Sequence, residues 1–120
     1  MNARLRLSDD SQIDVPQSFI ALFLKPGAYK PDAPRAVIAQ RYELCEDMAT
    51  MLTQTAQEML HGQSLSETRV LQNIHTALTT QPQGQSVVSP LEAVWVVWRL
   101  AELSGWAAPQ WLVPQPLKPA

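Results

Sequence analysis

The clearest hydrophobic pattern in the chain lies between Ser89 and Gly105. Almost every position inside this segment is apolar, and the polar exceptions are Glu92, Arg99 and Glu102. At about 100° per residue these three side chains lie on one side of a helix. The pattern therefore predicts a helix that shows water one narrow polar stripe and is surrounded by other elements on its remaining sides.

Both ends of this segment also carry the signals of a helix terminus. Ser89 and Glu92 have the spacing of a capping box, and Pro90 suits the first helical position, where no backbone N–H is needed. Gly105 can adopt the left-handed conformation that ends many helices. We therefore predict a helix over residues 90–104.

A longer helix is predicted over residues 33–61, because seven residues recur at alternating spacings of four and three. This heptad seam contains small side chains, which let a bulky neighbour approach, and the tryptophan-rich helix is the predicted neighbour. The seam consists of Ile38, Tyr42, Cys45, Ala49, Leu52, Ala56 and Met59, and it is widened by Val37, Leu44, Met48, Met51 and Leu60. Three acidic residues on the other side are predicted to face solvent: Glu43, Glu46 and Asp47.

Two shorter helices complete the prediction. Ser64 and Glu67 suggest a second capping box, ahead of a helix over residues 65–80. Near the N-terminus, the apolar segment 15–24 predicts a short helix over 17–24, with a buried strand as the alternative, because short apolar runs fit both.

The predicted fold is all-α: a small bundle of three main helices (33–61, 65–80 and 90–104) plus a short N-terminal helix. Its short connections favour antiparallel neighbours. We predict a flexible lead-in over residues 1–14, a single helical domain over 15–106, and an extended proline-rich tail over 107–120.

The segment after Gly105 is too apolar to be a simple linker. Its four prolines exclude a regular helix. Trp106, Trp111 and Leu112 are large apolar side chains, however, and full exposure to solvent is unfavourable for them. Trp106 is predicted to pack back on the helices. For Trp111 and the residues after it, packing back and insertion into a partner's groove are both open.

Composition removes several classes of function. The net charge of −2 and a pI near 5.6 give no electrostatic footprint for nucleic acid. No segment is long and apolar enough to span a membrane, so we expect no membrane partner. The single Cys45 excludes an internal disulfide and fits a reducing compartment, and we expect a cytoplasmic protein.

Candidate chemistry is sparse. Glu58 and His61 have the Glu-x-x-His spacing of carboxylate metal bundles, but the second copy that such sites need is missing, since Gln72 precedes His75. Cys45 falls on the heptad seam, where a small buried hydrophobe is expected. No Walker, dinucleotide-binding or nucleophile-elbow motif occurs. We therefore expect no catalytic, cofactor-binding or metal site and no cofactor.

Three blocks carry a resemblance: IDVPQSFIALF (Ile13–Phe23), APRAVIAQRYELCEDMATML (Ala33–Leu52) and SPLEAVWVVWRLAELSGW (Ser89–Trp106). They resemble a small family of proteobacterial proteins, some of which are labelled as an ATPase with chaperone activity. Because this chain has no nucleotide-binding motif, the resemblance implies at most an accessory protein that works beside an ATPase. It implies no functional residue.

Surplus apolar surface leads to the functional prediction. We expect a non-enzymatic protein-interaction module, an adaptor or chaperone-like accessory factor, that binds a protein partner or itself as a homodimer. The predicted interaction residues are Phe19, Phe23, Trp106, Trp111 and Leu112. The alternative is a helical bundle that binds a small ligand or a metal, using Trp95, Trp98, His61 and Glu58.

Overall fold

The computed structural model describes residues 14–24, 31–81, 87–109 and 111, and throughout this part of the chain the regular elements are helices. Helix α1 (Gln17–Ile20) continues into a 3-10 turn (Ala21–Phe23), and is followed by α2 (Arg35–Gly62), α3 (Glu67–Thr79) and α4 (Pro90–Ser104). The all-α prediction is confirmed, and the strand alternative for residues 15–24 is wrong.

Helix α4 is closed at both ends as predicted. The Ser89 hydroxyl accepts a bond from the Glu92 N–H at 3.1 Å, and the Glu92 carboxylate accepts one from the Ser89 N–H at 2.9 Å. At the other end Gly105 has φ 76°, and the Trp106 N–H donates to the Ala101 carbonyl at 2.8 Å. These bonds satisfy backbone groups that a helix end otherwise leaves to water.

The start of α3 differs from the prediction. The capping residue is Ser66, whose hydroxyl accepts a bond from the Arg69 N–H at 3.1 Å, and not Ser64. Because α2 extends to Gly62, a cap at Ser64 would leave a single residue in which to turn the chain. Ser64 instead adopts φ 54°, a left-handed conformation typical of a turn.

The described residues divide between Leu44 and Cys45 into two compact units, and α2 contributes to both. In the second unit, α2, α3 and α4 share one hydrophobic core. Fully burying a large apolar side chain stabilises a fold by roughly 1.5–3 kcal/mol, so this core dominates the stability of the unit. We call its buried members the core cluster: Ala56, Val70, Leu71, Ile74, Val97, Leu100 and Ala101.

The heptad seam of α2 is confirmed, although not its full predicted width. Cys45, Ala49 and Ala56 are completely buried, as expected for the small residues of the seam. Two of the residues predicted to widen it face solvent instead, since Val37 is 41% and Met51 70% exposed.

In the first unit, an aromatic group fixes the leading helix. Phe19 is fully buried, and its ring centroid lies 5.6 Å from that of Phe23 and 5.7 Å from that of Tyr42 on α2. The Asp32 N–H also donates to the Phe23 carbonyl at 2.8 Å. These contacts hold the N-terminal segment against the first turns of α2.

Candidate interaction surface

The polar stripe predicted for α4 does not face solvent as a whole. Glu92 is only 5% exposed, because its carboxylate closes the capping box. Arg99 is half-buried and turned towards Glu46 on α2. Only Glu102 remains exposed. Two of the three polar residues are therefore used inside the fold.

Arg99 joins α4 to α2 through a two-pronged ion pair. Its Nε donates to Glu46 Oε1 at 2.9 Å and its Nη2 to Glu46 Oε2 at 3.0 Å, while Nη1 donates to Glu102 Oε1 at 3.0 Å. The hydrogen bonds to Glu46 raise the pKa of Arg99 above its ordinary value. The solvent-facing prediction is wrong for Glu46, whereas Glu43 and Asp47 are exposed.

With two polar residues turned inward, the solvent-facing side of α4 is apolar over its first turns. Leu91 is 58% exposed, and Val94 and Trp98 are partly exposed. Residues three and four apart are neighbours on a helix surface, so these three side chains form one line about 10 Å long. We call Leu91, Val94 and Trp98 the α4 row. Glu102, one turn further, is the first polar side chain on this side.

The inner edge of the α4 row is anchored in the core. Val94 and Trp98 both pack against the core cluster, and the ring centroid of Trp98 lies 6.2 Å from that of the buried Trp95. Trp95 is therefore a core residue rather than one wall of a ligand cage. Because the row stands on a packed helix with both ends capped, its exposed atoms are held in place before any partner arrives.

None of the five predicted interaction residues belongs to the α4 row, and the first three to be described differ in their settings. Phe19 is fully buried, so its side chain offers no surface, and Phe23 is half-buried beside it. Leu112 lies outside the described residues.

The two tryptophans that follow α4 differ from each other. Trp106 packs against the core cluster together with Ala108, which confirms that the chain folds back after Gly105. Trp111 is 47% exposed, and its ring centroid lies 5.6 Å from that of His75 on α3, in an edge-on arrangement. Trp111 thus contacts α3 while keeping about half of its surface exposed.

Sequence reasoning missed Leu91 and Val94. The hydrophobic pattern predicts that both are covered by other elements, because it assigns the solvent-facing side of α4 to its three charged residues. A signal was present in the capping box: a glutamate that closes a cap is turned back towards the helix terminus and does not mark the solvent side.

The candidate metal ligands do not converge. Glu58 accepts a hydrogen bond from Gln54 at 3.2 Å, and the His61 ring shares one with Gln57 at 3.2 Å, both on the exposed surface of α2. Within the residues that the structure describes, no group of three or more His, Cys, Asp or Glu side chains is placed to hold a metal ion. The metal-binding alternative therefore finds no site there.

Among the described helices none is both long and apolar enough to cross a membrane. No protein-family model, curated protein or solved structure matches this chain. The resemblance to the proteobacterial family stays a prediction.

Proposed function

We propose that this chain is a non-enzymatic protein-interaction module, an adaptor or chaperone-like accessory factor, that binds a protein partner through the α4 row. The observation that carries the proposal is the exposure of Leu91 in line with Val94 and Trp98, without a polar side chain between them. Contiguous exposed apolar surface of this kind marks interaction sites on soluble proteins.

The composition of the row suits a contact surface. Covering the exposed part of Leu91 is worth roughly 1–2 kcal/mol, and tryptophan is enriched among the residues that dominate binding energy. Glu102 at the end of the row would belong to a polar rim. Because α4 is capped and packed, ordering the surface on binding costs little conformational entropy.

The spacing of the row favours an α-helix as the element that docks on it. Side chains at i, i+3 and i+7 form a line that matches the apolar face of a second helix. We expect the partner to meet this chain in the cytoplasm, and the buried thiol of Cys45 is compatible with a reducing compartment.

Site-specific photocrosslinking tests the proposal. Leu91 is replaced by p-benzoylphenylalanine, and the matched control carries the same replacement at Met51, which is 70% exposed on α2. We expect a discrete protein adduct after irradiation from position 91 and none from position 51.

A competition step shows whether the adduct depends on the row. Excess unlabelled chain should suppress the adduct, whereas excess chain carrying Leu91→Glu should not, because a charge within an apolar contact is costly to bury. Equal adducts from both positions, or no adduct at all, would remove the basis of the proposal.

A further inference from the structure

We draw no further inference here: the strongest candidate, the surface patch on α3 where the half-exposed Trp111 lies edge-on against His75, carries none, because nothing in the structure shows what would cover the exposed half of Trp111 or displace it from α3.

Discussion

The ion pair between Arg99 and Glu46 is the contact whose energetic importance can be tested most sharply. It is two-pronged, with distances of 2.9 and 3.0 Å, and both side chains are largely shielded, at 31% and 24% exposure. The neighbouring contact between Arg99 and Glu102 has one hydrogen bond, and Glu102 is 46% exposed. The first pair should therefore contribute more to stability than the second.

The expected magnitudes follow from this geometry. At an effective dielectric constant near 20, two unit charges about 4 Å apart attract by about 4 kcal/mol, but desolvation and side-chain ordering offset most of this gain. For the two-pronged, half-buried pair of Arg99 and Glu46 we expect a net coupling of about 1–1.5 kcal/mol. For Arg99 and Glu102, which are three residues apart on one helix, we expect about 0.3–0.5 kcal/mol.

Two double-mutant cycles measure these couplings, one with Arg99→Met and Glu46→Ala and one with Arg99→Met and Glu102→Ala. Unfolding is followed in urea, because guanidinium chloride is itself a salt and screens the pair. Adding about 1 M sodium chloride should weaken the Glu102 coupling proportionally more, since exposed charges are screened more strongly. A coupling to Glu46 that is no larger than the coupling to Glu102 would refute the reasoning.

The remaining predictions concern the packing and the ends of α4, and urea unfolding measures each of them. Leu100→Ala, at a completely buried position, should lower the free energy of unfolding by about 2–5 kcal/mol. Leu91→Ala on the same helix should change it by less than about 0.5 kcal/mol. Equal losses from the two variants would contradict the exposure of Leu91. Among the described residues, the Ser104 hydroxyl is the buried side-chain oxygen without a hydrogen-bond partner, so Ser104→Ala should stabilise the protein by about 1 kcal/mol, and a loss of stability would reveal a missed bond. An added Cβ meets no atom within 4 Å at either Gly62 or Gly105, so the two alanine variants should differ only through the backbone. Gly105→Ala, at φ 76°, should lower the free energy of unfolding by about 1–2 kcal/mol. Gly62→Ala, at the end of α2, should raise it by about 0.5–1 kcal/mol. The same sign for both glycine variants would count against the left-handed cap.

The features that could be predicted from the sequence are those decided within one or two helical turns. The ends of α4 depend on bonds that span no more than five residues, so Ser89, Glu92 and Gly105 were sufficient to place them. The buried seam of α2 depends on spacing alone, and Cys45 and Ala56 were placed correctly for that reason.

The features that escaped prediction depend on contacts between distant residues. Arg99 and Glu46 lie 53 positions apart, and a helical wheel shows which side a charge occupies but not whether another helix offers it a partner there. Arg99 points towards Glu46 and Glu92 closes the cap, so the solvent-facing side of α4 contains Leu91 instead of these charged residues. The surface that supports the proposed function therefore depends on the ion pair between α4 and α2, and a local sequence motif does not predict it.

The rate at which a reagent labels the buried thiol of Cys45 reports how often the protein unfolds around this residue. A thiol reagent in solution reaches this sulfur only when the surrounding helices separate, because the residue has no exposed surface. If only global unfolding of about 5 kcal/mol exposed it, labelling would be about 5,000-fold slower than that of a free thiol. Faster labelling would reveal partial unfolding around the middle of α2, and the same rate measured at rising protein concentration would report how far association slows such opening.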